Sequence, residues 1–123
     1  MASAVRVAIC DDEPSVRRLV WLWVEATPDL EPIGEATEGL EAVELVEREQ
    51  PDVLVLDLEM PGHSGVFAIE QIRASGATLP IVVYSGSAGS HLHEQALAAG
   101  ATVFVQKTGA ASELLDAIRS VAP

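Results

Sequence analysis

The sequence is poor in cysteine, in aromatic residues and in positive charge. Its single cysteine, Cys10, can form no disulfide within the chain, and its place in an apolar run favours a small buried side chain over a reactive thiol. Aromatic residues make up 4% of the 123 residues, so the core has to be built from aliphatic side chains. Seven basic residues stand against 19 acidic ones, and the net charge of −12 argues against direct binding to nucleic acid.

Long apolar runs are also missing. No segment approaches the roughly 20 consecutive apolar residues of a membrane-spanning helix, and the N-terminus lacks the charged and apolar regions of a secretory signal. We therefore expect a soluble, cytoplasmic protein without membrane contact. Residues 1–123 are expected to form a single domain, which at this size buries about two-thirds of the surface that the unfolded chain exposes.

What the sequence does contain is a regular alternation of strand and helix patterns. Five short aliphatic runs predict strands: Val5–Cys10, Leu30–Ala36, Val53–Asp57, Ile81–Tyr84 and Thr102–Val105. Between them, apolar residues recur three and four positions apart, as in helices. The predicted inward stripe of the first helix is Val16, Leu19, Val20 and Trp23. Gly39 and Gly65 are predicted to open the second and third helices, Gly76 and Gly100 to end helices, and Ala111–Ser120 to form the fifth.

This alternation predicts an α/β fold. Strands that alternate with helices run parallel, and right-handed crossovers leave only a few doubly wound arrangements. Val53–Leu56 is apolar on both faces, as a central strand should be, whereas Leu30–Ala36 carries Glu31 and Glu35 and is typical of an edge. We therefore expect a (βα)₅ flavodoxin-like sheet in the order 2-1-3-4-5, with its functional crevice at the carboxyl ends of the first and third strands.

Polar side chains follow the predicted strands at that edge of the sheet. Asp11 and Asp12 follow the first strand, Asp57 ends the third, Ser85 follows the fourth and Lys107 follows the fifth. Each has an ordinary explanation alone: Asp12 can cap a helix, Asp57 can form a turn, and the serine and lysine can be surface residues. Because the carboxyl ends of parallel strands share one edge, the five residues are instead predicted to converge.

Convergence of carboxylates has a chemical consequence. Packed acids repel each other unless a cation neutralises them, and hard oxygen ligands beside an open site favour Mg²⁺. A carboxylate beside Mg²⁺ can attack phosphorus when the charge on the phosphoryl oxygens is neutralised. Asp57 is the candidate nucleophile, and Lys107 and the Ser85 hydroxyl are candidates to contact the phosphoryl oxygens.

At these residues the sequence resembles the receiver domains of two-component response regulators, over its whole length. The matching motifs are Asp11-Asp12-Glu13-Pro14, Asp57-Leu58-Glu59-Met60-Pro61-Gly62 with Gly65 beyond, Ser85-Gly86, and Lys107. The sequence of the segments Pro28–Ala36 and Met60–Gly65 is most similar to that of receivers of NarL/LuxR-type transcription regulators. The resemblance implies the receiver fold and a phosphorylation-dependent signalling switch. It implies no enzyme activity on a separate substrate. The only reactions expected are phosphotransfer to Asp57 and autodephosphorylation of that residue.

The resemblance also implies roles for individual residues. Asp57 would accept a phosphoryl group from a histidine kinase, with Mg²⁺ ligated by Asp12, Asp57 and the backbone carbonyl of Glu59, and with Asp11 helping through water. Ser85 and Phe104 would report phosphorylation by moving toward the site. The face made by helix four, strand five and helix five would change in response.

Partners are implied in the same way. Relatives of this type continue into a DNA-binding output domain, which residues 1–123 do not contain, so the chain is expected to be either an isolated receiver or one part of a regulator. A separate effector and a homodimer formed on phosphorylation are also compatible with the resemblance. On the first helix, Pro14, Arg17 and Trp21 share a face that is predicted to dock the kinase; the alternative is that Trp21 serves only for packing.

Two departures and three alternatives stay open. Receivers often have a cis proline after the lysine, but here Thr108 follows Lys107, so the geometry of that bond is undecided; Phe104 stands where many members have tyrosine. A receiver-like interaction domain that is never phosphorylated is the main alternative. A haloacid-dehalogenase-like phosphatase would need an aspartate at Glu59, and in a flavodoxin-like redox protein the acids after the first strand would repel the flavin phosphate. His91 and His93 are expected to be surface residues.

Overall fold

The structure is a computed structural model that describes residues 3–86, 91–107 and 110–123. Strands and helices alternate throughout: β1 Val5–Cys10, α1 Pro14–Glu25, β2 Leu30–Ala36, α2 Gly39–Glu49, β3 Val53–Leu56, α3 Gly65–Ala74, β4 Ile81–Ser85, α4 His91–Ala99, β5 Val103–Gln106 and α5 Ala111–Val121. None of the helices in the described part of the chain has the length and apolar character needed to cross a membrane.

The predicted topology is confirmed. The five strands form one sheet in the order β2-β1-β3-β4-β5, and every neighbouring pair is parallel. β1 and β2 have the predicted bounds, β3 and β4 each differ from the prediction by one residue at the carboxyl end, and β5 begins and ends one residue later than predicted. The fold is therefore the predicted doubly wound parallel sheet, with β2 at one edge and β1 and β3 side by side inside it.

Helices cover both faces of the sheet. One layer holds α2, α3 and α4, and the other holds α1 and α5. Residues of β1 and β3 alternate between the two cores: Ala8 and Leu54 belong to the core beneath the three-helix layer, and Val7 and Val53 belong to the other. The central strands are thus buried on both sides, which explains why their sequences are apolar without interruption.

Helix α1 differs from its predicted inward stripe, and its N-terminus removes one of the alternatives given for Asp12. Leu19, which was expected to face inward, is 46% exposed, and the fully buried residues of this helix are Val20 and Val24. The N-cap position is taken by Glu13, whose side chain makes no capping bond, so Asp12 is not the capping residue. The carboxylate of Asp12 therefore does not cap the N-terminus of this helix.

A glycine brings the start of α3 against the end of β3. A Cβ atom on Gly65 would lie 2.3 Å from the carbonyl oxygen of Asp57, and no backbone atom can accept such a contact. The Gly65 N–H donates to the Leu58 carbonyl at 3.1 Å. The predicted helix start at this glycine is confirmed, and its cause is the close approach of two backbone segments beside the site.

Candidate functional site

Three aspartates meet at the carboxyl edge of the sheet. One carboxylate oxygen from each of Asp11, Asp12 and Asp57 lies within 4.8 Å of the other two. Asp11 and Asp57 are buried, and Asp12 is half-buried. The Asp57 N–H donates to the carbonyl of Cys10 at 3.0 Å, so the ladder between β1 and β3 continues up to the site. Neighbouring parallel strands are therefore what bring these carboxylates together.

Asp11 is held at both carboxylate oxygens. One accepts the Glu13 N–H at 2.9 Å and the other accepts the Lys107 ammonium at 2.7 Å. Its own N–H donates to Ala36 at the end of β2, at 3.1 Å. Because both oxygens are engaged within the protein, this geometry fits a role in which Asp11 acts on a cation through water.

Lys107 lies between the two buried carboxylates. Its Nζ atom is 2.7 Å from Asp11 and 3.5 Å from Asp57, and 5.8 Å from the centre of the Tyr84 ring. Burial alone would lower the pKa of Lys107, but the hydrogen bond to Asp11 and the attraction of Asp57 outweigh it, so its pKa is raised. The lysine therefore stays charged at neutral pH and partly neutralises the acidic cluster.

The carboxyl group of Asp57 is in an unfavourable environment for a charge. Burial raises its pKa; Lys107 acts in the opposite direction, and Asp11 raises it further. The Glu59 N–H, at 3.4 Å from Asp57 Oδ1, favours the ionised form. A second cation at this cluster would stabilise the ionised carboxylate, which is the form that can act as a nucleophile.

The donor set fits the predicted metal. Three carboxylates offer only oxygen, and Asp12 is partly open to solvent, as suits a cation that keeps some of its water ligands. Glu59 lies two residues after Asp57, with an exposed side chain and its backbone N–H 3.4 Å from Asp57 Oδ1. These residues could therefore hold Mg²⁺ with oxygen ligands alone.

The remaining strand-end residues lie at the same edge. Ser85 is the last residue of β4, is 1% exposed, and accepts the Lys107 N–H at its carbonyl oxygen at 3.0 Å. Thr108 and Ser87 lie outside the described residues, and so does the bond between Lys107 and Thr108. All five residues that were predicted to converge are therefore found at the carboxyl edge of the sheet.

One contact at the predicted switch was not foreseen. The Phe104 ring, half-buried on β5, stacks on the His93 ring of α4 with 4.1 Å between ring centres and 19° between ring planes. The expectation that His93 is an ordinary surface residue is wrong, because the ring of this histidine covers the aromatic residue of β5. His91 is exposed as expected.

The face predicted to dock a kinase is only partly open. Pro14 is exposed, and Trp21 is half-buried against the core between the sheet and the α1/α5 layer. Arg17 has 18% of its side chain exposed, donates to the Asp11 carbonyl at 2.7 Å, and lies 3.4 Å from Glu35. The packing alternative for Trp21 thus accounts for part of its surface, and Arg17 has contacts inside the protein.

A second interaction that sequence reasoning missed joins two loops near the site. The Glu38 carboxylate accepts backbone N–H groups at the start of α2 and lies 3.2 Å from His63 Nδ1 in the loop after β3. The Gly39 N–H donates to the His63 carbonyl at 2.7 Å. The partners are 25 residues apart in sequence, so no local pattern could have indicated this pair.

Comparison with known sequences decides the family. The family described as the response regulator receiver domain matches residues 7–119. The chain belongs to this family. The general function of the family is phosphorylation-dependent switching in two-component signalling, and membership favours the receiver interpretation over a phosphatase or a flavin protein.

Similar sequences occur in proteins of two kinds. The chain is 37% identical over 116 residues to the transcriptional regulatory protein LiaR of Bacillus subtilis, covering 94% of this chain and 55% of LiaR. It is 42% identical over 105 residues to a protein-glutamate methylesterase/protein-glutamine glutaminase of Photobacterium profundum, covering 84% of this chain and 26% of that protein. The chain thus spans about half or less of these relatives, and the esterase activity in the second name is that relative's own.

Solved structures agree with the sequence comparison. A two-component response regulator of the LuxR family from Aurantimonas superposes with a TM-score of 0.90 at 32% identity, covering 97% of this chain and 85% of that one. The response regulator domain of Thermotoga maritima CheB gives 0.88 at 31% identity, with 96% of each chain covered. The receiver fold and the resemblance to LuxR-type receivers are both confirmed.

Proposed function

We propose that this protein is a signalling switch in which Asp57 accepts a phosphoryl group from a histidine kinase. The observation that carries this proposal is the meeting of three carboxylates from two neighbouring strand ends, with Lys107 within 3.5 Å of two of them. This arrangement concentrates negative charge beside one lysine, which suits a site that binds a divalent cation together with a phosphoryl group.

Four residues are proposed to hold Mg²⁺. Asp12, Asp57 and the backbone carbonyl of Glu59 would be direct ligands, and Asp11 would act through a water molecule. The proposal is supported by the hard oxygen donors of the cluster and by the engagement of both Asp11 oxygens with other groups. When bound, Mg²⁺ supplies the positive charge that neutralises the carboxylates and a phosphoryl oxygen.

The proposed reaction is an in-line transfer from phosphohistidine. A carboxylate oxygen of Asp57 attacks phosphorus, the new P–O bond forms as the P–N bond breaks, and the electron pair of that bond returns to the imidazole nitrogen. The Lys107 ammonium offsets charge on one phosphoryl oxygen, and the Ser85 hydroxyl donates to another. Hydrolysis of the acyl phosphate then returns Asp57 to its carboxylate.

The switch is proposed to act through Ser85 and Phe104. Ser85 is buried next to the backbone of Lys107, and Phe104 lies on the neighbouring strand beneath α4. Movement of Ser85 toward the phosphoryl group would open space that the Phe104 ring could enter. The surface formed by α4, β5 and α5 would change shape, and an effector would recognise the changed surface.

The proposed partners follow from the family. A histidine kinase would supply the phosphoryl group and would dock on the face that carries Pro14, Arg17 and Trp21. Because relatives such as LiaR are named as transcriptional regulatory proteins, an attached DNA-binding output domain or a separate effector is proposed to read the switch, with homodimer formation as one response. A cytoplasmic location suits a partner of this kind.

The test uses mass spectrometry of the intact protein. Incubation with acetyl phosphate should add the mass of one phosphoryl group in the presence of Mg²⁺, should add none with a chelator, and should add none to the Asp57→Asn variant. Addition to Asp57→Asn would move the acceptor to another residue. No addition to the wild type would reject phosphate acceptance and would favour a receiver-like interaction domain.

A further inference from the structure

We propose that Arg17 positions the metal site by fixing the peptide between Asp11 and Asp12, so that the Asp12 carboxylate is held where a cation can use it. This inference rests on the proposed function, because it assumes that the acidic cluster binds Mg²⁺. It assigns to Arg17 a role inside the protein, separate from any contact with a kinase.

The side chain and backbone of Arg17 together connect three segments around the cluster: the residue after β1, β2 and the start of α1. Its Nη1 atom donates to the Asp11 carbonyl at 2.7 Å, and its Nε atom lies 3.4 Å from Glu35 Oε1 near the end of β2. The backbone N–H of Arg17 donates to Glu13 at 2.9 Å, within the first turn of α1. With 18% of its side chain exposed, this arginine is largely covered by the groups that it joins.

The contact with the Asp11 carbonyl has a direct effect on Asp12. The carbonyl of Asp11 and the N–H of Asp12 belong to one planar peptide, so a bond that holds the oxygen also sets the direction in which Asp12 leaves the strand. The preceding peptide is already held, since the Asp11 N–H donates to Ala36 at 3.1 Å. The side chain of the α1 N-cap residue, Glu13, makes no capping hydrogen bond, so Arg17 supplies an anchor that the cap does not.

Electrostatics alone would give the opposite result. A fixed positive charge beside a cation site repels the cation. If Arg17 acted only through its charge, its removal would therefore strengthen Mg²⁺ binding. If Arg17 acts as an anchor, its removal would weaken Mg²⁺ binding. The Asp12 carboxylate would then be ordered only when the ion binds, and this ordering would reduce the binding free energy. The sign of the change in affinity therefore separates the two roles.

Two substitutions at Arg17 and one control test the inference. Arg17→Gln removes the charge, whereas Arg17→Lys keeps the charge but cannot reach the Asp11 carbonyl and Glu35 with one planar group. Arg18→Gln removes the same charge from the next position of α1, where the side chain is exposed. The dissociation constant is measured by titration with MgCl₂ alone, through the fluorescence of Trp21 and Trp23 or by calorimetry.

We expect both Arg17 variants to bind Mg²⁺ about tenfold more weakly, as is typical when a residue that orients a metal ligand is lost. Arg18→Gln should stay within about twofold of the wild type, since an exposed charge in water is well screened. Thermal unfolding without Mg²⁺ identifies a general loss of stability, and titrations are made well below the lowest Tm. Arg17→Lys keeps the result interpretable if Arg17→Gln does not fold.

Three outcomes would overturn the inference. Unchanged or tighter Mg²⁺ binding by Arg17→Gln would mean that loss of the anchor does not outweigh loss of the charge, and wild-type affinity in Arg17→Lys would remove the need for the planar contact. Either result, with a wild type that still gains a phosphoryl group, rejects the role of Arg17 and leaves the proposed function intact. A wild type that does not bind Mg²⁺ would reject both.

Discussion

The ammonium group of Lys107 lies closer to Asp11, at 2.7 Å, than to the proposed acceptor Asp57, at 3.5 Å. One lysine thus compensates two buried carboxylates, and its stronger bond is to the residue that is not the acceptor. A cation that enters the cluster takes over part of this compensation. The lysine would then be freer to turn toward a phosphoryl group on Asp57.

Replacement of Lys107 should show how much of the stability of the folded protein depends on the lysine charge and how much Mg²⁺ can supply in its place. Lys107→Ala leaves Asp11 and Asp57 without their cation, and we expect the free energy of unfolding to fall by about 1–3 kcal/mol in the absence of metal. Saturating Mg²⁺ should restore more stability to the variant than it adds to the wild type. Denaturant unfolding with and without MgCl₂ measures both effects. Equal gains from Mg²⁺ in the two proteins would contradict the shared compensation.

Gly65 should tolerate no side chain. In Gly65→Ala the new Cβ atom would meet the Asp57 carbonyl at 2.3 Å, so the start of α3 or the end of β3 has to move. We expect a loss of about 1–3 kcal/mol in unfolding free energy and slower phosphorylation by acetyl phosphate, since the displaced backbone carries the acceptor. Gly86→Ala is the matched control, because nothing lies within 4 Å of a Cβ at that position. Comparable losses in both variants would mean that the close approach is not the cause.

The pair formed by Glu38 and His63 should make stability depend on pH. The pKa of Glu38 is lowered, first by the hydrogen bond from His63, and burial opposes this shift only in part. A carboxylate with a lowered pKa stabilises the folded state above its unfolded pKa, and this contribution is lost as the pH falls through the folded value. Glu38→Gln should therefore have a lower Tm than the wild type at pH 7, and the difference should shrink as the pH falls below the ordinary pKa of a glutamate.

The matched control for this pH effect is Glu44→Gln, which removes an exposed carboxylate from the same helix. We expect the Tm difference between Glu44→Gln and the wild type to be small and nearly independent of pH. Scanning calorimetry in a series of buffers measures all three proteins. A Tm deficit of Glu38→Gln that persists unchanged into acid would indicate a loss of packing and not a loss of charge.

The proposed kinase face makes a prediction about Trp21. Trp21→Ala should slow phosphotransfer from the phosphorylated kinase by about tenfold, because a large partly exposed aromatic residue often dominates a contact surface. Labelling by acetyl phosphate should be spared. Trp23→Ala is the control, since Trp23 is also half-buried against the same core but lies two positions along the helix, on another face. Loss of both reactions in Trp21→Ala, or equal slowing by Trp23→Ala, would speak for packing alone.

The sheet and the acidic cluster could be predicted because each depends on a short stretch of sequence. Val53–Leu56 is apolar on both faces because helices cover both sides of β3, and that pattern alone indicates a central strand. Asp57 directly follows, so its place at the carboxyl edge comes with the strand. Parallel neighbours then bring Asp11 and Asp12 to the same edge without any further information.

The missed features depend on rotation of helices and on pairs distant in sequence. Every position from Leu19 to Val24 is apolar, so spacing alone does not decide which side of the helix faces inward. The core takes Val20 and Val24 and leaves Leu19 exposed. The contact between Arg17 and the Asp11 carbonyl involves a backbone atom, which leaves no trace in residue types. The stack of His93 on Phe104 requires the placement of α4 over β5, which no local periodicity specifies.

That stack also bears on how an effector could influence the kinase reaction. Under the proposed switch, inward movement of the Phe104 ring would separate it from the His93 ring, which stacks on it in this structure. A protein that binds α4 with the rings apart would favour phosphorylation of Asp57 by the same free energy with which phosphorylation favours its binding. An effector that binds the face of α4 carrying His93 would therefore make Asp57 easier to phosphorylate. The amount of that effector would then set how sensitively the switch responds to its kinase.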